Sequence, residues 1–172
     1  MKDKIAEIRK ALENGVYQAA LSLTLTLPDI CGQVENGVPK GTRTTYIDWF
    51  DKHIDAASFS LGPASFIITM QGQKYAEFDG AACYALRCSF LHNGSDDVEN
   101  NTYKPSIDKF ELLTPDSLPR KGDGYSYRFS ATDVIARLDI KYLCEQICNA
   151  AEKFYDEWPD KADFNDHAII LH

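Results

Sequence analysis

The sequence predicts a mainly α-helical protein, a helical bundle with a small β decoration, formed as one domain over residues 1–172. Three observations predict this class. Apolar residues recur at a helical period over most of the chain, and the length suits a single hydrophobic core. The clearest strand-like segments lie within about 106–138. Those segments leave a mixed α+β class as the alternative.

The amino-terminal region is predicted to form two helices. Residues 3–14 carry apolar side chains at helical spacing and end at an Asn-Gly pair, a typical helix stop. Residues 16–31 are almost all apolar, which predicts one buried central helix that ends between Pro28 and Gly32. Alternating leucine and threonine at 23–27 leaves a strand as the alternative there.

A loop over 33–43 is expected to precede the third helix. Thr45 and Asp48 have the spacing of a capping box and are predicted to begin a helix over 45–54. Residues 65–70 are rich in β-branched and aromatic side chains. They predict a short strand or an extended loop.

The second half of the chain is predicted to contain two helices with strands between them. Asp79 and Asp139 are candidate N-caps for helices over 79–92 and 140–158. The tail, 168–171, is assigned either one more strand or no regular structure. Three intervening segments are β-branched or aromatic and are bounded by proline and glycine: 110–113, 125–129 and 134–138.

Composition predicts a soluble protein of the cytoplasm without a membrane partner. The net charge of -8, from 18 basic and 26 acidic residues, opposes broad contact with nucleic acid. Binding of RNA would therefore require a local basic site. No apolar run is long enough to cross a bilayer, and the start of the chain lacks the apolar core of a signal peptide.

The five cysteines predict free thiols, because their number is odd and no secretion signal accompanies them. Cys144 and Cys148 lie four residues apart on one predicted helix, but no further ligands follow at zinc-binding spacing. We therefore expect buried thiols and neither a disulfide nor a metal site. The sequence also lacks a glycine-rich phosphate loop, so no cofactor is expected.

One local pattern suggests chemistry. Near the end of the predicted helix 79–92, an arginine is followed by four residues and a histidine, in Tyr84-Ala-Leu-Arg87-Cys-Ser-Phe-Leu-His92. This segment resembles the Arg-x(4–6)-His signature of HEPN domains, and the chain is similar to a group of bacterial HEPN-like proteins. The resemblance covers about half of the chain. Its other segments are 19–32, 46–50 and 143–152.

HEPN domains are all-α bundles and are often dimeric. Many are metal-independent ribonucleases, whereas others are inactive interaction or nucleotide-handling modules. The resemblance implies Arg87 and His92 as catalytic residues, RNA as the substrate, and a homodimer. It also implies a toxin or phage-defence setting, in which an antitoxin or another protein is the partner. Active members often have Asn, Asp or His after the arginine, and Cys88 departs from that pattern.

The two residue types suit RNA cleavage without a metal. Histidine titrates near neutral pH and can move the protons, and arginine can place two donors on phosphate oxygens. On an ideal helix, positions five apart differ by about 140° around the axis. Arg87 and His92 therefore face one way only if the α-helix ends between them, or if a twofold dimer pools two such pairs in one cleft.

Structural roles are open for the same residues. Arg87 would then pair with Asp29 or Glu77, and His92 would cap its helix or pack in the core. Lys40 and Arg43, in the predicted loop, are either phosphate contacts or solvated charges. The histidine at position 53 is interpreted as a surface residue.

Three functions follow from these alternatives. The first is a HEPN-type ribonuclease that acts as a dimer, which the presence of Arg87 and His92 favours. The second is a non-catalytic HEPN-like module for dimerisation or partner binding, which Cys88 and the acidic charge favour. The third is a small-molecule or nucleotide binder, which the missing phosphate loop disfavours.

Overall fold

Helices form most of the described structure, and a small sheet accompanies them, as the sequence predicts. The computed structural model describes residues 1–55, 69–70, 73–74, 78–93, 107, 109–117, 125–129 and 134–167. Within those residues the α-helices, in chain order, are α1 (Lys2–Glu13), α2 (Tyr17–Thr24), α3 (Leu27–Asn36), α4 (Arg43–His53), α5 (Gly80–Cys88) and α6 (Ile140–Glu157).

The chain divides into two compact units. We call Met1–Ile54 with Cys144–His172 the helical unit, and Asp55–Leu143 the mixed unit. The helical unit contains α1 to α4 and most of α6, whereas α5 and the strands belong to the mixed unit. A single domain over 1–172, with all the helices in one bundle, therefore stays a prediction.

In the helical unit, α1 buries one face and is bridged to α6 by ion pairs on the outside. Ile5, Ile8 and Leu12 lie on the buried face, as their spacing predicts. Arg9 donates a hydrogen bond of 2.7 Å to Glu152 and one of 3.0 Å to Asn149 of α6. Because Arg9 and Glu152 are partly exposed, this bridge orients the two helices more than it stabilises them.

The predicted single helix over 16–31 is wrong, because two helices, α2 and α3, occupy that stretch. The break falls at Leu25–Thr26, and the second helix continues to Asn36, into the predicted loop. Pro28 explains the break. Within one continuous helix its ring would clash with the carbonyl of Thr24, whereas in the first turn of α3 its missing N–H costs nothing.

The fourth helix begins two residues earlier than predicted and with a different cap. The Thr42 side chain accepts a hydrogen bond of 3.2 Å from the backbone N–H of Thr45, and the Thr45 hydroxyl accepts one of 2.9 Å from the backbone N–H of Thr42. The predicted pair of Thr45 and Asp48 is therefore wrong. Threonine replaces the usual glutamate at the third position of this capping box.

In the mixed unit, the predicted helix over 79–92 is present in two parts. Asp79 is its N-cap, as predicted, because its Oδ1 atom accepts a hydrogen bond of 2.9 Å from the backbone N–H of Ala82. The α-helical part ends at Cys88. The five residues Ser89–Asn93 follow as a π-helical turn, which we call the π turn.

The predicted strands are also present. They are β3 (Lys109–Leu113), β4 (Tyr125–Phe129) and β5 (Val134–Asp139), in the spatial order β3-β5-β4. Strand β3 pairs with β5 in parallel orientation, and β4 pairs with β5 in antiparallel orientation. Between β5 and β3, Arg137 donates a hydrogen bond of 2.7 Å to Glu111, which lies opposite it. Two further strands, β1 (Thr69–Met70) and β2 (Gln73–Lys74), pair antiparallel, whereas 65–68 and 168–171 lie outside the described residues.

The last helix runs almost as predicted, and both of its ends are held by side chains. Asp139 Oδ1 accepts a hydrogen bond of 3.1 Å from the backbone N–H of Tyr142, which makes it the predicted cap. At the other end, the Lys161 ammonium donates to the carbonyls of Tyr155, Asp156 and Trp158. A cation there satisfies carbonyls that lack a helical partner and complements the helix dipole.

Candidate functional site

Arg87 lies in the last turn of α5 and is half-buried. Its Cζ atom lies 5.7 Å from the centroid of the Tyr84 ring, three positions earlier on the same helix face, and its Nε atom is shielded from solvent. The guanidinium therefore has a defined position over an aromatic ring. This packing suits either a fixed phosphate ligand or a structural residue.

His92 lies within the π turn, and its side chain is outside the described part of the structure. The α-helix ends between Arg87 and His92, as the sequence analysis required for a common face, but it continues as a π turn. In a π turn each backbone hydrogen bond spans five residues, whereas in an α-helix it spans four. The angle of about 140° between Arg87 and His92 holds only on a continuous α-helix, so it does not apply across this turn.

The residues proposed to accompany Arg87 lie in different places. Glu77 is outside the described residues, and Asp29 belongs to the helical unit, whereas Arg87 belongs to the mixed unit. Lys40 is exposed in the loop before α4, and Arg43 is the first residue of that helix. Their roles toward Arg87 or phosphate stay predictions.

The helical unit contains a charged cluster of Glu35, Lys52 and His53, which we call the Glu35 cluster. It was not predicted from the sequence. Glu35 of α3 accepts a hydrogen bond of 2.7 Å from Lys52, and its Oε1 atom lies 2.9 Å from His53 Nε2. The His53 ring stacks on Trp49, with centroids 5.1 Å apart, and meets the edge of Phe154 of α6 at 5.0 Å. Interpreting His53 as a surface residue was therefore wrong, since it joins three helices.

Charge pairing controls the ionisation of Glu35. Burial alone would raise the pKa of its carboxyl group, but the hydrogen bonds from Lys52 and His53 outweigh burial and hold the pKa below the ordinary value of 4.5. A carboxylate whose pKa is lowered by folding stabilises the folded state above its unfolded pKa. That contribution disappears as the pH falls through the folded pKa.

We expect Glu35→Gln to lower the free energy of unfolding by about 1 kcal/mol near neutral pH, the usual cost of weakening charged hydrogen bonds. The difference from wild type should shrink as the pH falls below about 4.5, because the carboxylate takes up a proton first in the unfolded chain and then, at lower pH, in the folded protein. Urea unfolding across that range measures both effects. Glu13→Gln, at an exposed position at the end of α1, is the control, and an equal loss in the two variants would contradict the role of the cluster.

The five cysteines are free thiols, and all except Cys88 are buried. Burial raises the pKa of the Cys148 thiol to about 11, despite Arg9 and a hydrogen bond with Thr24, which lower it. Such thiols stay protonated and behave as small apolar side chains. Within the part of the chain that the structure describes, no three His, Cys, Asp or Glu side chains converge as a metal site.

A cleft of about 780 Å³ opens beside the Glu35 cluster, entirely within the helical unit. One wall is the last turn of α3 with the loop to Pro39, and Glu35 is part of it. The other wall comes from Trp158, Ala162 and Asp163, at the end of α6 and in the 3-10 helix Lys161–His167. The volume is in the range of small-molecule sites.

Comparison with protein-family models, with curated proteins and with solved structures found no match for this chain. Among the described helices, none is both long enough and apolar enough to span a membrane. The candidate residues are therefore interpreted from their own geometry and chemistry.

Proposed function

We propose that this chain is a HEPN-type, metal-independent ribonuclease of the cytoplasm that acts as a homodimer, with Arg87 and His92 as its catalytic residues. The observation that supports this most is the π turn that begins two residues after Arg87 and contains His92. Single π turns within helices are rare and frequently mark functional sites. Here the turn begins between Arg87 and His92, and the proposed reaction depends on how these two side chains are oriented toward each other.

In the proposed reaction, the 2′-hydroxyl of RNA attacks the adjacent phosphate while a proton leaves it. A second proton goes to the departing 5′-oxygen, and a 2′,3′-cyclic phosphate forms. The imidazole of His92 would carry one of these protons, since histidine side chains ordinarily titrate near neutral pH. Arg87 would hold the phosphate oxygens and offset the negative charge that develops on them.

A non-catalytic dimerisation or partner-binding module is the second candidate. The packing of Arg87 against Tyr84 favours it, because a guanidinium held over a ring and partly shielded has less freedom to reach a substrate. The net charge of -8 and Cys88 after the arginine favour it as well. An antitoxin or another protein would then occupy the surface that RNA occupies in the first proposal.

The decisive experiment is cleavage of mixed RNA by the full chain in excess EDTA, with analytical ultracentrifugation of the same preparation. We expect cleavage that resists EDTA, products that end in 2′,3′-cyclic phosphate, and the mass of a dimer. A protein without cleavage above background would contradict the ribonuclease and leave the binding module. Cleavage that EDTA abolishes would contradict the metal-independent mechanism.

A further inference from the structure

The cleft in the helical unit has an aromatic wall joined to a carboxylate. The Trp158 indole Nε1 atom donates a hydrogen bond of 2.8 Å to Asp163 Oδ2, so the ring and the carboxylate are held beside each other. The indole also packs on Phe154, with ring centroids 5.1 Å apart. The pair is therefore fixed before any ligand arrives, which lowers the entropic cost of binding.

The charge of the cleft favours cations. Its ionisable lining residues, among those that the structure describes, are Glu35 and Asp163, and both are acidic. Two ammonium groups of the helical unit have partners of their own, since Lys52 binds Glu35 and Lys161 binds the carbonyls at the end of α6. Glu35 is already paired with Lys52 and His53, so we assign the cation to Asp163.

Helix direction adds to this preference. The last turn of α3 forms one wall of the cleft, and the carboxyl end of a helix carries a partial negative charge. Apolar side chains of Val34, Val38 and Pro39 lie on the same wall. The cleft thus combines an apolar surface, an indole ring, a carboxylate and the carboxyl end of a helix.

We propose that this cleft binds an organic cation, an ammonium group carried on an apolar body, with the cation against the Trp158 ring and the Asp163 carboxylate. The indole is the best side-chain surface for a cation, and it attracts methylated ammonium groups as well as primary ones. The ammonium group belongs either to a free small molecule or to a lysine side chain of another protein. The proposal does not depend on the ribonuclease.

Choline and its uncharged isostere 3,3-dimethyl-1-butanol form a matched pair of probes. We expect choline to change the tryptophan fluorescence of the full chain in a saturable way, and the isostere to bind at least about tenfold more weakly, since it has the same shape without the charge. Trp49 is fully buried, so we expect a fluorescence change caused by a ligand in the cleft to come from Trp158. Titration with Nα-acetyl-lysine N-methylamide, whose side-chain ammonium group is free, distinguishes a protein lysine from a free small molecule as the source of the cation. A site for a protein side chain prefers this compound to choline.

Asp163→Asn should weaken choline binding by at least about fivefold while it keeps the shape of the cleft. Asp116→Asn, at an exposed aspartate in the mixed unit, is the control and should leave binding unchanged. Calorimetry provides a second readout that does not depend on the indole. Equal binding of choline and its isostere, equal affinity in the Asp163 variant, or no binding at about 50 mM choline would each overturn the proposal.

Discussion

Gly32→Ala is expected to lower the free energy of unfolding by about 3 kcal/mol, the upper part of the range for overpacked cores. Gly32 lies in the middle of α3, where the helix crosses the backbone of α4. A Cβ atom added there would lie 2.4 Å from the Thr45 carbonyl oxygen and 2.9 Å from its carbon. Because these are backbone atoms inside a capped helix, the two helices would have to separate.

The sign of this effect distinguishes packing from helix propensity. At an exposed helical position, replacing glycine by alanine stabilises a helix by about 1 kcal/mol. Gly37→Ala is the comparison, since nothing lies within 4 Å of its added Cβ and only its positive φ of 59° opposes the change. We expect a loss of about 1 kcal/mol there. Urea unfolding measures both, and a neutral or stabilising Gly32→Ala would contradict the close helix crossing.

Features that depend on neighbouring residues could be predicted from the sequence. Asp79 and Asp139 were identified as helix caps because a side-chain oxygen reaches the N–H three residues on, a distance that the sequence itself encodes. The strands before α6 were predicted by the same local logic. Pro28 is also a local feature, and it argues against a continuous helix over 16–31. The long apolar run around it nevertheless favours one helix, which is why the sequence predicts no break there.

Features that depend on distant residues could not be predicted. Glu35 and His53 are 18 positions apart, and their contact exists only because α3 packs against α4. The same packing explains why a glycine is required at position 32. The cleft beside Glu35 is lined by residues from 33–39 and from 158–163, which are far apart in the sequence, so no local spacing predicts it. Local patterns therefore suggest Arg87 and His92 as candidate residues but give no indication of the cluster around Glu35.

The π turn is an intermediate case. Arg87 and His92 stand out as a pair in the sequence, and within one chain they face one way only if the α-helix ends between them. No residue from Cys88 to His92 predicts that the α-helix is followed by a π turn. The choice between hydrogen bonds that span four residues and hydrogen bonds that span five depends on packing. The backbone consequently matters more for the proposed site than the residue pattern does.

His92→Ala is expected to reduce EDTA-resistant RNA cleavage by about 10²-fold or more, the usual loss when a general acid or base is removed. Arg87→Ala should cause a similar loss. Arg87→Lys should remain strongly impaired, because lysine keeps the charge but cannot place two donors on one phosphate. Initial rates with a defined oligonucleotide, at saturating and limiting concentrations, separate the loss of turnover from the loss of binding.

Two controls separate catalysis from folding in these variants. His53→Ala removes a histidine from the Glu35 cluster, so it should lower stability but leave the cleavage rate of the folded protein unchanged. Lys10→Ala removes an exposed positive charge and should change neither. Circular dichroism and urea unfolding establish that each variant is folded under the assay conditions. If folded His92→Ala cleaves RNA as fast as wild type, His92 is not catalytic. If Arg87→Ala loses cleavage only in proportion to its unfolded fraction, the guanidinium over Tyr84 has a structural role.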